Sequence, residues 1–136
     1  MSTLSVTKSA LVPPALRETF TLLPCSQNTT LGLEGCAEHR ILVLDSRVNV
    51  LRREVFRHLY DNAARRRFIL AEVDWTAFRR VTCLSEADVN EGGSLVAVDF
   101  ANCVVRLDQQ HVSELSVLDS SYQAGQASRR VRRVTN

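Results

Sequence analysis

The chain lacks any apolar run that approaches the roughly 20 residues a membrane-spanning helix needs, so membrane insertion is not expected. Lysine is nearly absent: of 17 basic residues, all but Lys8 are arginine. Guanidinium forks grip phosphate and carboxylate with two bonds and stack on flat rings, which an ammonium does not do. GC-rich coding produces the same bias without functional content. Glycine is scarce, at five residues, and no Gly-rich turn joins a strand to a helix. The nucleophile elbow, the phosphate-binding glycine loop, the dinucleotide glycine triplet and the zinc-protease helix are all missing. No catalytic residue and no cofactor is assigned on this pattern.

Close cysteine pairs are missing too. Cys25, Cys36, Cys83 and Cys103 fall without C-x2-C spacing, and no segment with a positive start and an apolar middle precedes them. They read as reduced, mostly buried thiols of an intracellular protein. Cys25, Cys36 and His39 lie near one another, but with gaps of ten and two residues and no local fourth ligand they do not make a zinc site. His39, His58 and His111 read as surface or core-edge histidines.

What is present is an ordinary globular composition, 45% apolar and 24% charged, at the length of one domain. Its net charge of +2 conceals an alternation along the chain. Residues 1–38 sum to −1, residues 39–67 to +5, residues 68–128 to −6 and residues 129–136 to +4. Such asymmetry suits an anionic partner, or a second copy bearing the opposite patch.

Along the chain, Pro13 and Pro14 forbid a continuing helix or central strand, so residues 1–17 are expected to form an extended arm. The unbroken apolar run Ile41 to Leu44 predicts a central strand, and Asp45 or Ser46 then caps a helix over 46–64. Leu51, Val55 and Leu59 form its core-facing row, flanked by Val48, Phe56 and Ala63. Arg57 is expected to pair with Asp61, and Glu54 with His58. Arg52 projects within that apolar arc and must snorkel to its edge, pair with a buried acid or face a partner; snorkelling is the commonest outcome. Arg65, Arg66 and Arg67 are expected at the C-terminal end of this helix, where they complement its dipole.

Beyond them, 68–75 alternates with Ala71, Val73 and Trp75 on one face, and 77–84 continues as a further strand. An acidic loop reverses at Gly92 and Gly93 before strands in 94–107, and Asp108 caps a final helix over 109–126.

The expected fold is therefore α+β: a single domain over 18–128, with about five mostly antiparallel strands near 19–23, 41–44, 68–75, 77–84 and 94–107. Two main helices, 46–64 and 109–126, cover the sheet, between an N-terminal arm and an arginine-rich tail over 129–136. The leading functional reading is a non-enzymatic structural or interaction subunit of a larger intracellular or viral assembly, cytoplasmic or within a particle and not secreted. It would dock on protein partners or copies of itself through its arm, basic helix and tail. The alternative is a nucleic-acid binding protein meeting RNA or DNA phosphates, and a third reading is a small enzyme with a non-local site. The contact residues assigned are Arg52, Arg53, Arg57, Arg65, Arg66, Arg67, Arg129, Arg130, Arg132 and Arg133.

Overall fold

The structure is a computed structural model that describes residues 11–135 apart from 19 and 21, with side chains as far as 129. Three long helices make it up: α1 (Thr30–Arg57), α2 (Asn62–Ala87) and α3 (Val96–Thr135), with a 3-10 turn at Asp88–Asn90 between the last two. Helix accounts for 78% and no strand occurs among the described residues, which overturns the α+β sheet. The segments expected as strands at 41–44, 68–75 and 77–84 are helical, as is 94–107 from Val96 onward. Of 19–23, the described positions are irregular chain.

The physical reason lies in where helices start. Thr29 caps α1 by accepting from the Gly32 amide at 2.9 Å, and Asp61 caps α2 by accepting from the Ala64 amide at 2.7 Å. The cap expected at Asp45 or Ser46 is instead mid-helix, and the cap expected at Asp108 lies inside α3. The predicted helix 46–64 breaks after Arg57, so Asp61 opens a new helix rather than closing the old one. Arg65, Arg66 and Arg67 consequently sit in the first turns of α2, at the positive end of its dipole and not the negative one. The expected pairs change with the break: Arg57 meets Glu54, and His58 meets Asp119 of α3 at 3.1 Å.

Each helix turns an inward row with steps of three and four. On α1 it runs Glu38, Ile41, Asp45, Val48, Arg52, Val55, all buried. On α3 it includes Ala101, Val104, Asp108, His111, Val112 and Leu115. Backbone contacts run along α1 with α3 and along α2 with α3. One apolar cluster joins Ile41, Cys83, Ala101 and Val104; a second joins Leu16, Val48, Val112 and Leu115.

Between α1 and α2 runs the N-terminal segment from Pro14, as a strap. The Leu16 amide donates to Asn49 Oδ1 at 2.7 Å, and Asn49 Nδ2 donates back to the Leu16 carbonyl at 3.0 Å. Further on, the strap crosses the start of α1 so closely that glycine is required there. A Cβ on Gly35 would collide with the Leu23 and Pro24 carbonyl oxygens. The arm expected over 1–17 lies outside the described residues as far as residue 10.

Two disulfides hold this arrangement: Cys25 to Cys36 ties the strap to α1, and Cys83 to Cys103 ties α2 to α3 across the turn, with Cα atoms 4.3 and 5.4 Å apart. Each contributes about 3 kcal/mol in the chain-entropy account, against a net stability of about 5–15 kcal/mol for a domain. The reading of four reduced thiols is therefore corrected. So is the cytoplasmic or particle-bound location, because disulfides form and persist in oxidising compartments.

The close crossing makes a test. Gly35→Ala is expected to lower the unfolding free energy by about 2 kcal/mol through forced displacement of the strap, read as a reduced denaturation midpoint of the oxidised chain. Gly125→Ala is the control, since its Cβ would meet only the end of the Arg129 side chain at 3.8 Å; it should be neutral or slightly stabilising.

Candidate functional site

The interior of the bundle is charged. Arg52, fully buried, donates through Nε to Glu72 Oε1 at 2.6 Å, through Nη1 to the Pro14 carbonyl at 2.9 Å and through Nη2 to Thr76 Oγ1 at 3.1 Å. Glu72 also meets His111 Nε2 at 2.7 Å, and His111 Nδ1 meets Glu114 at 3.1 Å. About two helical turns along α2, Arg79 donates through Nη1 to Asp45 at 2.9 Å and Asp108 at 2.8 Å, and through Nη2 to Glu18 of the strap at 2.7 Å. Trp75 separates the two guanidinium groups, each 5.6 Å from its ring centre, and His111 stacks on it at 3.9 Å.

These groups shift one another. Burial, then the neighbouring Asp108, pushes the Asp45 carboxyl up to about 8 although Arg79 pulls it down, so Asp45 keeps its proton at neutral pH. The Oδ2 atoms of Asp45 and Asp108 are buried with no hydrogen-bond partner among the described residues, and the neighbouring Asp108 carboxyl favours a proton on Asp45. Burial alone would raise Glu72, but His111 and Arg52 outweigh it and hold the carboxyl below its ordinary range. Burial would likewise lower Arg79, and Asp108 and Asp45 more than reverse that.

Glu72 and His111 look like an acid and base pair, and Glu72 Oε1 and both ring nitrogens of His111 are engaged within the protein. The groove beside the strap, about 520 Å3, is lined by Pro14 to Glu18 and by Val73 to Arg80 of α2; it reaches Arg79 but not Glu72, His111, Asp45 or Asp108. The network joins four chain segments, and its members at the groove wall are Pro14, Glu18, Thr76 and Arg79. Among the described residues no set of three or more His, Cys, Asp or Glu is arranged to hold a metal ion, and Cys25 and Cys36 are committed to their disulfide.

The outward surface is where a partner has access. Of the residues assigned from sequence whose side chains are described, Arg52 alone is fully enclosed, paired with the buried acid Glu72 instead of snorkelling. Arg53, Arg57, Arg66 and Arg67 are exposed where α1 ends and α2 begins. Arg65 is half-buried, donating to the Leu59 carbonyl at 2.7 Å and lying over the Phe56 ring. Tyr60, at 74% exposed, stands among them, and its hydroxyl accepts from Gln126 of α3 at 3.0 Å. Sequence reasoning passed over Tyr60, because the helix break that presents it is marked only by Asp61. Arg129 is exposed further along α3, which continues past this end; the side chains of Arg130, Arg132 and Arg133 lie outside the described residues. The opposite end of the bundle, at the disulfide-held turn, carries Glu86, Asp88, Glu91 and Asp99. The molecule is thus basic at one end and acidic at the other.

A family model described as lysozyme inhibitor LprI matches residues 24–115. No curated protein matches the chain, and no solved structure does. The match overturns the readings as a subunit of an intracellular or viral assembly and as a nucleic-acid binding protein, since the family is one of protein inhibitors. It agrees with a non-enzymatic role.

The buried network has a pH signature of definite sign. Folded Asp45 holds its proton up to about 8, whereas the unfolded chain releases it near 3.8, so the stability it contributes is complete below the lower value and is lost as pH rises through the upper one. Asp45→Asn keeps an acceptor for Arg79 and a donor for Asp108; it should flatten that decline, seen by comparing urea midpoints on either side of neutrality. Arg79→Met strands buried carboxylates and is expected to cost about 3–5 kcal/mol.

Proposed function

The chain belongs to the lysozyme inhibitor LprI family, and we propose that it is a non-enzymatic protein inhibitor of a lysozyme-type glycosidase, working in the periplasm or outside the cell. The family match carries this reading, because residues 24–115 take in both disulfides, α1, α2 and the first half of α3. The compartment follows from the disulfides. The partner is accordingly a folded protein.

The contact we assign is the basic end. Glycosidases of this type work with two carboxyl groups flanking the scissile bond in an open cleft. Arg53, Arg57 and Arg67 around exposed Tyr60 offer guanidinium forks to such carboxylates and an aromatic anchor beside them. The surface sits on helix ends fixed by the bundle, so little ordering is lost on docking. Arg129, Arg130, Arg132 and Arg133 lie beyond the matched span and are left out of this contact.

The test is lysis of a cell-wall substrate by lysozyme in the presence of the purified, oxidised chain. Inhibition should saturate at one chain per enzyme, and Tyr60→Ala and Arg57→Ala should each weaken it by about tenfold. Absence of inhibition at any excess of chain would end this reading. Undiminished inhibition by the combined alanine variant at 53, 57, 60 and 67 would move the contact elsewhere on the molecule.

A further inference from the structure

The outer face of α2 carries an apolar stripe that no described residue covers, with Val73 and Ala77 at the wall of the strap groove. Leu70, Val73, Ala77, Val81 and Leu84 follow one another at steps of three, four, four and three, which keeps them on one side of the helix. The four large ones are exposed, Leu70 at 61% and Val81 at 66%. Single exposed apolar side chains need no explanation, but a continuous row of them marks a contact surface.

The order of residues in the stripe indicates what covers it. Read outward from Ala77, valine stands four residues away on both sides, at Val73 and Val81. Leucine stands seven residues away on both sides, at Leu70 and Leu84. Eleven residues away the symmetry becomes one of opposite charge, Arg66 on one side and Asp88 on the other. Both of those side chains are exposed, and neither makes an ion pair among the described residues. A surface that reads alike from both ends fits a copy of itself running the other way, which is the requirement of a twofold interface.

We propose that α2 is a homodimer interface, in which a second copy of this chain packs antiparallel about a twofold axis at Ala77. Leu70 of each copy then lies against Leu84 of the other, and Val73 against Val81. The small Ala77 side chains meet at the axis, where they let the helices approach. Arg66 of each copy faces Asp88 of the other. A parallel pairing would set Arg66 against Arg66 and Asp88 against Asp88, so the charges select the antiparallel arrangement. The basic ends at Tyr60 then point away from each other, at opposite poles of the dimer.

Sedimentation equilibrium of the full, oxidised chain across a wide concentration range reads this directly. The chain should dimerise, and Val81→Asp should leave it monomeric with unchanged circular dichroism and thermal midpoint. Arg66→Asp breaks two symmetry-related pairs and sets like charges face to face, which should raise the dimer dissociation constant by about tenfold. Adding Asp88→Arg to Arg66→Asp should restore the original value. A chain that is monomeric at every concentration overturns the proposal. So does a dimer that Val81→Asp leaves intact, or one in which the double exchange fails to recover what the single exchange lost. If the chain is monomeric and Val81→Asp abolishes lysozyme inhibition, the stripe belongs to the enzyme contact instead.

Discussion

The structure depends on two guanidinium groups held inside a three-helix bundle. Arg52 and Arg79 are each enclosed, and an enclosed cation is tolerated only when its donors are met by acceptors of suitable charge. Those acceptors come from every part of the chain: Asp45 on α1, Glu72 and Thr76 on α2, Asp108 on α3, Pro14 and Glu18 on the strap. The need to satisfy two arginines therefore accounts for the path of the N-terminal segment between Pro14 and Glu18, ahead of the stretch that the Cys25 disulfide holds. It also accounts for Trp75, whose faces and edges fill the space between the cations and carry His111 on one side.

Charged layers of this kind cost more desolvation than an apolar core of equal volume, so they add little to stability outright. Their consequence is register. Along α1 the inward row alternates acid, apolar, acid, apolar, cation, apolar; on α2, Glu72 meets Arg52, and Arg79 meets Asp45 together with Asp108 of α3. Sliding one helix by a turn would set Arg79 against Val48 or leave Asp108 without a donor, a penalty of several kcal/mol in place of the fraction that an all-apolar seam would incur. The disulfide across the α2–α3 turn and the one at the strap fix the same registration covalently, at the two places where the network has no reach.

That alternation explains what could be read from the sequence and what could not. Of the expected row Leu51, Val55 and Leu59 with Val48, Phe56 and Ala63 beside it, Val48 and Val55 are buried on α1 and Leu59 is buried just past its end, whereas Leu51 and Phe56 are half-buried and Ala63 is exposed on α2. Arg52 stands out correctly as a residue in the wrong place for a solvated charge. Beyond that segment the apolar period fades, because Glu38, Asp45, Glu72, Arg79 and Asp108 occupy inward positions while Val43, Val50, Leu70 and Val81 occupy outward ones. With charge inside and valine outside, four apolar residues from Ile41 read as a strand, and Asp45 reads as a cap. The cysteines are silent for a different reason. Ten residues separate Cys25 from Cys36, and the α2–α3 turn with a helix end on either side separates Cys83 from Cys103, so their pairing follows from tertiary approach and not from spacing.

The exposed arginines that folding does not use have a clearer place once the buried ones are accounted for. A helix end prefers acids at its first turn, yet α2 carries exposed Arg66 and Arg67 just inside its start. An arrangement that works against the local dipole persists most readily where those charges meet acceptors from outside the chain. Two such acceptors are within the logic of the surface: carboxylates of a glycosidase cleft for the residues around Tyr60, and Asp88 of a second copy for Arg66. These demands do not compete, because the first set points off the end of the bundle and the second lies along the side of α2. Under the two proposals, the polarity that first showed as a block pattern of charge is one feature with two uses, a basic pole offered to the enzyme and a basic-to-acidic gradient that would orient a symmetric pair.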